Sequence, residues 1–241
     1  MNFQRLSRHL CFICAHLWLI FFAFAGHAAD AAKPILKAGP PPMRLSEPPN
    51  SPRISSEAKA AAEAGLASFA SNKLDDARQH FQKLLALAPD NLTGLVNLGS
   101  VEFRLNHVAE SEKLLRRAVR LNPDAGLAWL TLGVIYNAQD KLEAALAALS
   151  QAVWLDPKNS RAHNALADTL WRKGWYSGAE DELQKTIELE PDFSDAHFNL
   201  AMAYLRRTPP AIELARRHYQ KALDLGAPPD AAVEKQLASK L

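Results

Sequence analysis

Pro89, Pro123, Pro157 and Pro191 stand 34 residues apart, each from the next. A fixed period of ~20–50 residues marks a stacked-repeat architecture, because a unit of that size cannot bury its own apolar face and must pack it on a neighbour. The period therefore constrains the fold more tightly than local propensity does. Stacked repeats also present long, extended surfaces, which points to recognition of another macromolecule without naming it.

The ends of the 241-residue chain differ from this periodic middle. Arg5 and Arg8 precede an uncharged apolar run, Leu10–Ala25, and small residues follow at Ala25, Gly26, Ala28 and Ala29. That order is the order of a secretory signal, with cleavage after Ala28 or Ala25. As a helix the run would extend only about 24 Å, short of a ~30 Å hydrocarbon core. Residues 1–28 are therefore read as a signal peptide, with a retained anchor as the alternative. Export to the periplasm or outside the cell follows, and a membrane role follows only if the segment is retained. Cys11 and Cys14 both fall inside it, so the processed chain has no cysteine and forms no disulfide. Removing Arg5 and Arg8 leaves 26 basic against 26 acidic residues. A chain without net charge has no general attraction for nucleic acid or an anionic membrane. Residues 29–53 contain seven prolines and read as a Pro-rich disordered linker, too proline-dense for helix or sheet.

With each ladder proline at position 32 of a 34-residue unit, the units run 58–91, 92–125, 126–159, 160–193 and 194–227. Unit three places Trp129, Leu132, Gly133 and Tyr136 at positions 4, 7, 8 and 11, then Ala145, Ala152 and Pro157 at 20, 27 and 32. Gly65, Gly99, Ala167 and Ala201 repeat the small residue at position 8, and Ala77, Ser111 and Ala179 repeat it at position 20. Small residues at both places let two antiparallel helices approach closely. Apolar residues at helical spacing, such as Leu114, Leu115, Ala118 and Leu121, give each unit a face for its neighbour. The proline lacks a donor and ends the second helix. Asn91 or Asp90, Asp124, Asn159 and Ser194 are candidate caps for the first helices, and Asp140 with Glu143 a candidate capping box.

This pattern resembles the tetratricopeptide repeat over residues 58 to about 227, and the leader before it is that of a bacterial exported member. The resemblance implies an all-α, right-handed solenoid of stacked antiparallel helix pairs: five units plus a C-terminal capping helix over 228–241. Unit one matches least well and reads as an N-terminal cap. Thr208-Pro209-Pro210 interrupts unit five. A two-residue insertion there restores Ala215, Tyr219, Ala222 and Leu225 to register, and Asp230 caps the closing helix.

In that family positions 2, 5, 6, 9, 12 and 13 of the first helices commonly face a ligand in a concave groove. Carried over, these become Asn97, Ser100 and Arg104 in unit two, and Asn137 in unit three. Unit four gives Arg161, Asn164, Asp168, Trp171 and Arg172, and unit five gives Phe198, Asn199, Met202 and Arg206. Arginines, amides and large apolar groups together suit an extended peptide or helix of a protein partner. The family's carboxylate clamp for chaperone tails finds only Asn97 of the residues it needs. His163 and His197 share position 4, a packing site, and lack a third metal ligand. Arg116, Arg117 and Arg120 lie on a second helix and read as a solvated outer face. No Gly-rich phosphate loop and no catalytic constellation interrupts the repeat. The expectation is a protein–protein interaction module without a cofactor, with a membrane-tethered assembly factor as the alternative.

Overall fold

A computed structural model describes residues 54–238. The signal peptide, the Pro-rich linker and the last three residues lie outside the described residues. The described residues form eleven helices and no strand. Helix α1 is Ser56–Ala70, α2 Leu74–Leu87, α3 Leu92–Arg104, α4 Val108–Leu121, α5 Gly126–Ala138 and α6 Leu142–Leu155. Then come α7 Ser160–Arg172, α8 Tyr176–Leu189, α9 Ser194–Arg206, α10 Ile212–Asp224 and α11 Ala231–Ala238.

Each odd helix from α1 to α9 packs on the even helix after it, and each of those even helices from α2 to α8 packs on the next odd one. The first helices also touch across units, α1 to α3, α3 to α5 and α5 to α7. Helices that approach more closely lie on the inside of a bend, so the first helices line the concave side. The period is visible in the backbone: α3, α5, α7 and α9 begin 34 residues apart, as do α2, α4, α6 and α8. Helix α10 begins 36 residues after α8, with the two additional residues in the turn between Arg206 and Ile212.

Helix α4 illustrates the sequence logic. Ser111, Leu114, Leu115 and Ala118 fall on one face at helical spacing and are buried, while Glu110, Lys113, Arg116 and Arg120 face outward. In units one to three, position 8 of the first helix faces position 24 of the second, Gly65 meeting Phe81, Gly99 Leu115 and Gly133 Leu149. A Cβ on Gly133 would lie 2.4 Å from Leu149 Cγ, and one on Gly99 2.7 Å from Leu115 Cγ. The leucine branch point fills the space that the glycine vacates.

The first helices of units one to four end in the same way. Asn72, Asn106, Asp140 and Gly174, all at position 15, have φ of 59°, 65°, 59° and 79°. The following amide reaches back five residues, as from Lys73 to the Ser68 carbonyl at 2.9 Å and from Lys141 to Tyr136 at 2.9 Å. This is a Schellman ending, which needs a residue that tolerates a positive φ. Asp140 therefore serves the end of α5 and not the start of α6. No capping box forms, because the N-cap of α6 is Lys141 and receives no side-chain bond.

The other caps divide. Asn91 accepts from Gly94 N–H at 2.8 Å and Asn159 from Ala162 N–H at 3.1 Å. Asp124 and Ser194 do not cap: Ala125 and Phe193 hold the N-cap positions without side-chain bonds, and Ser194 Oγ donates to the Ala222 carbonyl. Asp230 does cap α11, accepting from Ala232 and Val233 N–H at 2.8 and 3.1 Å. Val233 and Leu237 of that helix close the apolar cluster of Leu200, Tyr204, Ala215 and Tyr219.

Candidate functional site: the first-helix face and its loop edge

The predicted groove residues fall into three physical groups. The first is buried. Asn97 is fully enclosed, its amide donating to the Thr93 carbonyl at 2.8 Å, and Ser100 donates to Val96 at 2.9 Å. Asn137 and Asn164 are also buried, and neither side-chain carbonyl oxygen has a partner. The Asn137 amide donates to Thr169 Oγ1 at 2.8 Å and to Asp168 Oδ2 at 3.2 Å. Asn137 therefore joins α5 to α7.

The second group holds consecutive units together. Arg172 Nη1 donates to the Asn137 carbonyl at 2.5 Å and Nη2 to Asp140 Oδ1 at 2.7 Å. Arg104 makes the side-chain half of this contact two units earlier, bonding Asn72 and lying 5.1 Å over the Phe69 ring. Both arginines occupy position 13 and grip the position 15 residue of the preceding unit. Sequence spacing alone did not reveal this link, although the recurrence of Arg at 13 and Asn or Asp at 15 carries its signal.

The third group faces outward, in whole or in part. Arg161, Asp168 and Trp171 on α7, and Phe198, Asn199 and Met202 on α9, are half-buried. Trp171, Phe198 and Met202 also pack on the apolar cluster of units four and five, so only part of each side chain remains on the face. Trp171 meets Tyr176 edge-on, with ring centroids 4.9 Å apart. Arg206 is exposed and stands 4.0 Å over the Tyr176 ring and 6.0 Å from that of Trp171. Arg206 also occupies position 13, but position 15 before it is Gly174, which has no side chain to hold it. Among the described residues no carboxylate pairs with Arg206. Tyr176 was not among the expected site residues, since it lies at the start of a second helix.

Two carboxylates on this face are perturbed. Burial pushes Asp168 up to about 6, with Arg172 opposing the shift, and burial also raises Asp195. The position 4 rings are packing groups. Trp129, His163 and His197 donate ring N–H groups to the carbonyls of Pro123, Pro157 and Pro191 at 2.7, 3.0 and 2.9 Å. The other nitrogen of His163 faces Glu182 at 2.6 Å and that of His197 faces His218 at 2.9 Å. The two histidines have separate partners. Burial, then His197 and Arg217, lowers the pKa of His218.

Fold and face together define a helical-repeat solenoid with a preformed surface on its first helices. The tetratricopeptide repeat family model matches residues 96–162 and 164–232. The chain belongs to that family, whose members are protein-interaction scaffolds that bind protein or peptide partners. Among curated proteins it is 32% identical over 132 residues to the Protein CTR9 homolog of Arabidopsis thaliana, covering 51% of this chain and 12% of that one. It is 31% identical over 181 residues to the human Protein O-mannosyl-transferase TMTC1, covering 73% of this chain and 20% of the other. The chain thus spans a fifth or less of the length of these relatives. A solved structure of MamA from Desulfovibrio magneticus RS-1 superposes with a TM-score of 0.62 at 17% identity, covering 72% of this chain and 97% of that one. YrrB, described as a TPR protein with an unusual peptide-binding site, gives a TM-score of 0.58 at 23% identity over 78% of this chain and all of the other. At these identities the structures show a shared fold.

Proposed function

We propose that this protein is an exported interaction scaffold that captures an acidic, extended segment of a protein partner along the first-helix face of units four and five. The observation that carries the reading is the exposed Arg206 guanidinium, held over Tyr176 and unpaired among the described residues. A guanidinium held against an aromatic ring loses less freedom when it meets a carboxylate, and such charge-assisted bonds are the stronger ones. Met202 lies one turn before it on α9, and Asn199 and Arg161 stand progressively further along α9 and α7, where they would contact the rest of an extended segment. Asn97, Arg104 and Arg172 leave the proposed contact set because each already serves the fold. The mechanism is non-covalent and needs no cofactor. The transferase among the relatives is matched over one fifth of its length, so its activity does not come with the match. Export rests on the charge and hydropathy order of residues 1–29.

The test is co-purification from the native host with Arg206→Glu and Tyr176→Ala variants, their helical content checked by circular dichroism. Loss of specific partners with unchanged helicity supports the reading. Recovery of the same partners from both variants overturns it. Fractionation with N-terminal sequencing tests export: a processed chain outside the cytoplasm supports it, and an intact chain inside the cytoplasm contradicts it.

A further inference from the structure

The outer face of the second helices carries an exposed tryptophan between opposite charges. Trp154, at position 29 of α6, is 71% exposed, the largest exposure of any large apolar side chain among the described residues. Helix α6 has no basic residue and a single acidic one, Glu143, and the outward residues before Trp154 are Ala147 and Ser150. On one side, α4 presents Lys113 and Arg120 at positions 22 and 29 of unit two. On the other, α8 presents Asp181 and Glu188 at the same positions of unit four, with the exposed Lys185 between them paired to Glu188. Arg120 and Asp181 have no ionic partner among the described residues, and Lys113 and Glu188 form only exposed i,i+3 pairs within their own helices.

We propose that this face binds a second copy of the chain, through a two-fold axis running along α6. That operation reverses the order of the helices across the interface, so α4 of each protomer lies opposite α8 of its partner while α6 lies on α6. Because the second helices keep a common register, position 22 then meets position 22 and position 29 meets position 29. Lys113 faces the partner's Asp181, Arg120 faces the partner's Glu188, and the two Trp154 rings meet near the axis. A two-fold axis across the helices would instead set α4 on α4, basic on basic, so the charges select one symmetry. An isologous dimer needs such self-complementarity, and the two Trp154 rings, next to the last residue of α6, would bury each other at one end of the face between Arg120 and Glu188. Three helices of about 21 Å by about 28 Å give roughly 600 Å² per protomer, at the lower end for a specific interface. The small area sets the expectation of a weak, concentration-dependent association in the micromolar range.

Sedimentation analysis of the full chain from about 1 to about 200 µM provides the test. The expected result is a concentration-dependent monomer–dimer equilibrium that Trp154→Glu weakens at least about 30-fold. Lys113→Glu with Arg120→Glu should weaken it as well, and adding Asp181→Lys with Glu188→Lys should restore it. Circular dichroism confirms that every variant is folded. A wild-type chain that remains monomeric throughout overturns the proposal and leaves this face to a different protein. Self-association unaffected by Trp154→Glu overturns the location. Failure of the four-residue reversal to rescue overturns the α4-on-α8 register.

Discussion

Arg172 Nη2 lies 2.7 Å from Asp140 Oδ1, so the end of one first helix holds the left-handed residue that ends the one before it. The carboxylate is 80% exposed, and water weakens such a pair to under ~1 kcal/mol. The same guanidinium also serves the Asn137 carbonyl in a partly buried place, where a lost bond costs about 1 kcal/mol. Arg172→Ala should therefore lower stability by about 1–2 kcal/mol in urea denaturation. Asp140→Gly keeps the positive φ, removes only the ion pair, and should stay within ~1 kcal/mol of wild type. Equal losses in the two variants would contradict this division.

Gly133 and Leu149 give a second prediction. Alanine is the better helix former by ~1 kcal/mol, yet its Cβ would sit 2.4 Å from the Leu149 branch point. Overpacking a helix contact costs about 1–3 kcal/mol, and here the neighbour is held on a helix axis. Gly133→Ala should lower the melting temperature, and Leu149→Ala in the same chain should abolish the glycine's advantage. A Gly133→Ala variant as stable as wild type would show that α5 and α6 separate freely.

The repeat was legible because its cause is local and periodic. Proline at position 32, small residues at 8 and 20, and apolar residues at helical spacing each impose their geometry on their own unit. The inserted pair in unit five was legible for the same reason, since only a two-residue shift returns Ala215, Tyr219 and Ala222 to buried positions. The capping box at Asp140 was misread because aspartate serves both a helix start and a positive-φ helix end, and only the chain path distinguishes them. The groove was partly legible. A position number states which way a side chain leaves its helix, but not whether the neighbouring unit has already engaged it. Arg104, Arg172 and Arg206 share one position, and the fate of each depends on a residue about 32 places earlier. Trp154 and its flanking charges were not legible as a unit, because their complementarity appears only when three outer helices lie side by side.

Asp168 makes stability depend on pH. Its carboxyl is raised from 3.8 to about 6 because burial disfavours the charge, so the folded state binds the proton more tightly than the unfolded chain does. The stability it contributes is fully present below pH 3.8 and is lost as the pH rises through about 6. Asp168→Asn removes the titration while keeping the shape. Wild type should therefore lose ~2–3 kcal/mol relative to Asp168→Asn between pH 4 and pH 7, as read by denaturation at each pH. A difference that is flat across that range would place the charge in water.

Gly174 explains why Arg206 remains available, and restoring the side chain that its counterparts have should withdraw it. Asn72 and Asp140 occupy the same position with φ near 59°, and each holds the arginine of the next unit. Gly174→Asp places a carboxylate where Asp140 receives Arg172, at a φ of 79° that aspartate tolerates for about 1 kcal/mol. No other group meets the new Cβ closely, since the nearest is Tyr176 Oη at 3.9 Å. The new side chain should draw Arg206 off the Tyr176 ring and neutralise it. Partner capture should then fall about as far as in Arg206→Ala, although Arg206 is still present. Stability should stay within about 1 kcal/mol of wild type, because the new ion pair offsets part of the backbone cost. Gly174→Asn is the control, since it takes the same backbone conformation and can hold the guanidinium without cancelling its charge. If Gly174→Asp captures partners as wild type does, then Arg206 is not the group that meets them.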